Sequence, residues 1–275
     1  MSPAPRKPKV AALQLNSGAD VGANLTRIEA LVRDAVSDGA GLCVLPECFA
    51  YLGPEEQKFA VGEPLPDGGP VLSRMQKLAR DTQCELVLGG YHERTRDPKK
   101  LQNACIHLNE QGAIKAIYRK IHLFDVDLPD GTKLEESATV EPGSEVVVTD
   151  TRAGKLGLSV CYDLRFPELY RKLVDQGATM LTVPAAFTLT TGKDHWHVLL
   201  RARAIEAQSY VVAAAQTGLH FGTRRSYGHA LICDPWGVVV AECSEGEGYA
   251  LASIDQAYVD SVRRSLPSLR HRRIG

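Results

Sequence analysis

Short apolar runs alternate along this chain with stretches of helical periodicity, and that alternation restricts it to sheets covered by helices. Residues 10–15 read as a strand, 24–37 as a helix, 42–45 as a strand, 70–82 as a helix and 86–91 as a strand. The first helix has a clear cause: Leu25, Ile28, Leu31, Val32, Ala35 and Val36 fall on one apolar stripe, with Arg27, Glu29 and Asp34 off it. Two hairpins follow, 104–108 with 113–118 through Glu110-Gln111-Gly112, and 146–149 with 155–161 through Ala153-Gly154. A helix after Pro167, a strand at 180–183, a helix at 195–208 and strands at 210–216, 230–233, 238–242 and 249–254 complete the pattern.

Strands this rich in Val, Leu and Ala, with few polar alternations, predict a four-layer α-β-β-α sandwich in which two sheets face each other and helices cover the outside. One domain over residues 1–275 is expected, with 1–8 flexible. The basic tail at 266–275, including Leu269-Arg270-His271-Arg272-Arg273, is either a solvated end or an arm on a second subunit.

The 32 basic residues nearly cancel the 33 acidic ones, which argues against attraction to nucleic acid or an anionic membrane and favours a small-molecule partner. The segment Met1 to Lys9 lacks the apolar core of a secretory signal, and no run approaches the roughly 18–20 apolar residues of a membrane span. Seven cysteines without a C-x-x-C pair predict free thiols in a reducing, cytoplasmic setting.

Cys161 ends the run 155–160 and precedes Tyr162-Asp163-Leu164-Arg165-Phe166-Pro167, where Pro167 suits the first turn of a helix. At such a strand-to-helix elbow, backbone N–H groups and a helix N-terminus are expected to favour thiolate and stabilise an oxyanion. By position alone, a buried structural cysteine is the open alternative. Ser159 is excluded as a nucleophile, because Gly157-Leu158-Ser159-Val160-Cys161 carries Cys where G-x-S-x-G needs its second Gly.

Glu47 follows Val44-Leu45-Pro46, so it sits at a strand's carboxyl end, where a half-buried acid beside a thiol is expected to hold a raised pKa and shuttle a proton. Alone it would read as a loop acid. Lys120 closes another strand and would offer an ammonium to an oxyanion, or else protect a sheet edge. His195 and His197, two apart on a helix, point to different faces and have no third ligand at a recognised spacing, so no metal or other cofactor is expected.

Taken together, Leu45-Pro46-Glu47, the segment from Tyr118 through Lys120 to Asp125, the segment from Gly157 through Cys161 to Glu168, and the later His195-Trp196 and Arg201 to Glu206 segments resemble the nitrilase superfamily of carbon–nitrogen hydrolases. The resemblance spans nearly the whole chain. It implies an α-β-β-α sandwich assembled into homodimers or higher oligomers. By it, Glu47 corresponds to the general base, Lys120 to the intermediate stabiliser and Cys161 to the nucleophile. A second catalytic glutamate falls on Glu136, with Glu135 a near neighbour.

The segments Tyr210 to Gln216, Ser226-Tyr227-Gly228-His229 and Asp234-Pro235-Trp236-Gly237 look most like the branch that hydrolyses deaminated glutathione. The related ω-amidases share the triad and act on 2-oxo-dicarboxylic monoamides. This chain departs from the branch at His197, where an acid is more common. The expected substrate-binding side chains are Tyr162, Arg165, Phe187 and His229. Arg165 either meets a substrate carboxylate or bonds the loop that shapes the elbow. His229 either lines the pocket or makes a core hydrogen bond. A catalytically idle scaffold subunit is the reading from another class, and the intact set Glu47, Lys120 and Cys161 argues against it.

Overall fold

A computed structural model of the chain describes residues 7–127 and 133–274. Of the segment expected to be flexible, residues 1–6 lie outside the described residues. Lys7 pairs with Asp255, and Pro8 accepts a 2.8 Å bond from the N–H of Ile254.

Two large sheets carry the fold. The main path of the first runs Arg224–Tyr227, Ala215–Phe221, Lys9–Leu15, Ala40–Leu45, Glu85–Arg94, Leu101–Leu108 and Ile114–Arg119. Gly248–Ser253 also pairs with Lys9–Leu15, and Val140–Glu141 with Leu101–Leu108. The second runs Val239–Glu242, Leu231–Cys233, Tyr210–Ala213, Met180–Thr182, Gly154–Gly157 and Val148–Thr151. Among the described residues the α-helices are α1 (Val21–Ser37), α2 (Pro70–Thr82), α3 (Pro167–Asp175), α4 (Leu189–Ala207) and α5 (Gln256–Ser265).

Side-chain alternation along the strands builds the layers. Ala11, Leu13, Cys43, Leu45, Leu86 and Leu88 pack with the apolar faces of α1 and α2. Their neighbours Val10, Ala12, Leu42, Val44 and Val87 point the other way, into a core shared with Leu156, Met180 and Val211 of the second sheet. Helices α3 and α4 pack on that second sheet. This is the α-β-β-α sandwich. The helix starts are locally encoded: Asp20 caps α1 through the N–H of Ala23 at 2.9 Å, and Pro70 and Pro167 open α2 and α3.

Three expectations change, and one helix is additional. The run 210–216 is two strands, Tyr210–Ala213 in the second sheet and Ala215–Phe221 in the first, so the chain changes sheet at Ala214. The strand expected to reach Cys161 ends at Gly157, and a 3₁₀ turn, Cys161–Arg165, stands between it and α3. Helix α4 begins at Leu189, six residues before its expected start, and α5 was not anticipated. The basic tail folds back on its own chain, with Arg272 paired to Asp175 of α3 and Leu269 packed on the core. No helix among the described residues is long and apolar enough to cross a membrane.

Candidate active site

Parallel pairing fixes where the site forms. Ala40–Leu45 runs parallel to Glu85–Arg94, and two antiparallel steps then bring Ile114–Arg119 back to the same direction. Glu47 and Lys120 therefore follow strands that end at one edge. Asn103 joins them from the intervening strand, its carbonyl accepting the N–H of Lys120 at 2.9 Å. Cys161 reaches the same edge from the second sheet, where its N–H donates to Pro184 at 2.9 Å.

The three groups are buried together, with Glu47 5%, Lys120 2% and Cys161 7% exposed. The Glu47 carboxylate accepts from Lys120 Nζ at 3.0 Å and Asn103 Nδ2 at 2.9 Å on Oε1, and from the Ala186 N–H at 3.0 Å on Oε2. The Cys161 thiol lies close enough to this carboxylate for each group to shift the other's titration. Lys120 Nζ donates to Glu136 at 2.7 and 3.1 Å, and Glu136 also accepts from Asn103 Nδ2 at 3.1 Å and the Phe124 N–H at 2.7 Å. One ammonium is thus held between two carboxylates. Glu135, the alternative second glutamate, is not among these contacts.

These neighbours set the protonation states. Burial alone would raise the Glu47 carboxyl, but the Lys120 charge, the Cys161 thiol and the bonds from Lys120 and Asn103 outweigh it and hold the group below its usual value. Burial would likewise lower Lys120, yet the charges of Glu136 and Glu47 keep it well above its ordinary range. For Cys161, burial and the Glu47 carboxylate push the thiol well up, and Lys120 offsets them only in part. Two expectations are corrected here. The resting pair is a neutral thiol beside an ionised glutamate, not a thiolate beside a raised carboxyl, because the thiol is desolvated and its residue opens a 3₁₀ turn rather than an α-helix.

Close approach of Glu47 depends on Gly90, whose φ is +64° and where an added Cβ would lie 2.4 Å from the Cys48 nitrogen and 2.7 Å from Glu47 Cγ. Cys161 itself has φ +48°, a left-handed conformation costing on the order of 1 kcal/mol for a residue with a Cβ. Its turn is over-determined from both sides. The buried Asp163 carboxylate accepts from the Tyr118 hydroxyl (2.7 Å), the Val160 N–H (2.8 Å), the His122 N–H (3.1 Å) and His122 Nδ1 (2.7 Å). Arg203 of α4 donates to the Leu164 carbonyl at 2.8 and 3.1 Å.

A pocket with roughly 200 Å³ of open space adjoins the thiol, lined by Phe124, Tyr162, Arg165, Phe187, Thr188 and Thr191 among others. The expected Tyr162, Arg165 and Phe187 are thus brought together. The Arg165 guanidinium lies 5.1 Å from the Phe187 ring and 5.9 Å from the Tyr162 ring, and its Nη1 is 3.2 Å from His195 Nδ1. His229 is not brought to this lining: its ring stacks on Tyr227, and Nδ1 lies 2.7 Å from Glu242. His197 meets the same carboxylate at 2.9 Å, whereas His195 lies beside Arg165 and takes no part in that cluster.

Sequence reasoning missed Asn103, Asp163, Arg203 and Arg224. Arg224 donates from Nη2 to the Ala186 carbonyl at 3.3 Å, and its buried Nη1 has no hydrogen-bond partner among the described residues. Tyr118 and Asp163 stood inside the motif segments already singled out, whereas nothing local marks Asn103 or Arg224.

The carbon–nitrogen hydrolase family pattern matches residues 9–264. The chain is 48% identical over 271 residues to the deaminated glutathione amidase of Homo sapiens, covering 97% of this chain and 82% of that one. It is 45% identical over 265 residues to the protein of the same name from a Synechocystis strain, covering 95% and 97%. The crystal structure of the Caenorhabditis elegans NitFhit protein superposes with a TM-score of 0.91 at 40% identity, over 98% of this chain and 66% of that one. With two facing sheets, a buried Glu–Lys–Cys group at their common edge and a family pattern running almost end to end, the chain belongs to the carbon–nitrogen hydrolases of the nitrilase superfamily.

Proposed function

We propose that the chain is an amidase that cleaves deaminated glutathione to 2-oxoglutarate and cysteinylglycine through a thioester on Cys161. The observation that carries this reading is a buried Cys161 thiol set beside an ionised, buried Glu47 that Lys120 and Asn103 hold in place. Relatives named deaminated glutathione amidase support the choice of substrate.

Glu47 takes the proton of Cys161 as sulfur attacks the amide carbonyl, so a C–S bond forms while the C=O π pair moves to oxygen. Lys120 and the backbone N–H of Tyr162 bind that oxyanion. Collapse breaks the C–N bond, and Glu47 returns the proton to the leaving amine. Water, losing its proton to the same carboxylate, then attacks the thioester, and the thiol leaves with the proton restored. Glu136 keeps Lys120 charged and aimed; no redox step or organic carrier enters the balance. Arg165, on the pocket wall, and the unpartnered Nη1 of Arg224, whose Nη2 bonds the carbonyl of the wall residue Ala186, are assigned to the substrate's carboxylates, since a guanidinium donor left open suits a planar anion.

Quenched reactions analysed by mass spectrometry test the scheme: a 2-oxoglutaryl adduct on Cys161 is expected, and full turnover by Cys161→Ala would refute it. Amine release from deaminated glutathione, 2-oxoglutaramate, N-carbamoyl amino acids and simple nitriles tests the substrate. Highest kcat/KM on 2-oxoglutaramate would reassign the chain to the ω-amidases, and no release from any of them would favour an idle scaffold.

A cytoplasmic location belongs to the same proposal and is consistent with all seven cysteines standing as free thiols. So does self-association. Val198 and Ile205 of α4 and Trp236, Val238 and Val240 are exposed apolar side chains, with Ile205 against Gly237 of the second segment, and such side chains suit a contact with a second copy. Sedimentation equilibrium of the wild type and of Val198→Glu checks this.

A further inference from the structure

Away from the pocket, three side chains from three separate elements converge on one point. His197 projects from the middle of α4, His229 stands between Arg224–Tyr227 and Leu231–Cys233, and Glu242 ends the strand Val239–Glu242. Glu242 Oε1 lies 2.9 Å from His197 Nε2 and 2.7 Å from His229 Nδ1, and the three ligand-type atoms lie within 4.8 Å of one another. Their side chains are 32%, 31% and 35% exposed, so the cluster opens to solvent on one side.

We propose that His197, His229 and Glu242 form a binding site for one divalent transition-metal ion of the zinc type. The donor set is two imidazole nitrogens and a carboxylate oxygen, which suits zinc, cobalt or nickel and disfavours magnesium and calcium, whose sites are built from oxygen. Ligands about 2.1 Å from a tetrahedral ion stand about 3.4 Å apart, so the carboxylate needs to retreat by less than about 1 Å from each ring, and the two ring nitrogens, within 4.8 Å of each other, need to settle at the same spacing. Metal binding uses the Glu242-facing nitrogen of each ring, His197 Nε2 and His229 Nδ1, and the tautomer that carries its hydrogen on the other nitrogen presents that lone pair.

The ligands stand on prearranged supports. His229 has φ +58°, its carbonyl accepts the Trp196 indole N–H at 2.8 Å, and its ring stacks on Tyr227 with centroids 4.4 Å apart. His197 packs edge-on against both rings. Glu242 lies on a strand paired directly with Leu231. With about a third of each side chain exposed in the single chain, the open side of the cluster would admit water as a fourth ligand. Trp196, adjacent to His197, also packs 5.1 Å from Phe187 of the substrate pocket, so occupancy would stiffen that wall from behind.

Calorimetric titration of chelator-treated full-length protein with zinc and, separately, with magnesium tests the assignment. One zinc per chain, with no magnesium response, is expected. His197→Ala and the near-isosteric Glu242→Gln should each weaken zinc binding by roughly tenfold or more, and zinc should raise the melting temperature of the wild type only. Cobalt spectra separate this site from the chain's thiols: weak ligand-field bands without a thiolate charge-transfer band are expected. Undiminished zinc affinity in the variants, a thiolate band, or no stoichiometric binding would each overturn it.

Discussion

The Tyr118 hydroxyl donates a 2.7 Å hydrogen bond to the buried Asp163 carboxylate, and through that bond the strand that ends at Lys120 grips the turn that presents Cys161. Tyr118→Phe keeps the ring and removes one of the carboxylate's four hydrogen bonds. The expected cost is about 1–3 kcal/mol of stability, with kcat falling about tenfold while KM changes little, because the loss is in alignment rather than in substrate contact. Thermal melts and steady-state kinetics read the two effects separately.

Acid and alkali should act on different groups. Glu47 is held below its ordinary carboxyl value of 4.5, so its folded pKa is the lower one. Its stabilisation is complete above the unfolded value and is lost as pH falls through the folded one. Activity should hold to more acid pH than an unperturbed carboxylate would allow. Cys161 has the opposite sign: its folded pKa lies above 9.0, so the unfolded chain sheds that proton first and stability declines as pH rises beyond about 9. Plots of kcat/KM and melting temperature against pH check both limbs.

Arg224 should matter only to charged substrates. Arg224→Gln is expected to raise KM for deaminated glutathione by about ten- to a hundredfold, in line with the loss of a charge-assisted carboxylate bond, and to leave an uncharged amide of similar size unaffected. An equal loss on both substrates would mean that Arg224 only supports the loop at Ala186.

Gly90→Ala tests how tightly the base is seated. A methyl group there meets the Cys48 nitrogen and Glu47 within 3 Å in a backbone conformation that disfavours Cβ, so Glu47 must move. A loss of about 2–4 kcal/mol in stability and at least about a hundredfold in kcat is expected, measured by denaturant titration and turnover.

Much of this was legible along the chain because its information is local. The stripe on α1, the proline starts of α2 and α3 and the strand ends before Glu47, Lys120 and Cys161 are short-range patterns. The sheet change at Ala214 was hidden because residues 210–215 are uniformly apolar, with no glycine or proline to mark the break. The first turn of α4 was hidden because Thr190, Thr191, Gly192, Lys193 and Asp194 interrupt any apolar period. The protonation states of Glu47 and Cys161 were misjudged for another reason. They depend on the sum of burial, Lys120 and Asn103, and residues 56 and 73 positions from Glu47 cannot be weighed until the fold brings them near. The meeting of His197, His229 and Glu242 is non-local in the same way.

The base and the ammonium belong to one sheet and the nucleophile to the other. Turnover is therefore a gauge of how the two halves of the sandwich are docked: a slip of about 1 Å between them, invisible to circular dichroism, would silence the enzyme while every strand remained intact.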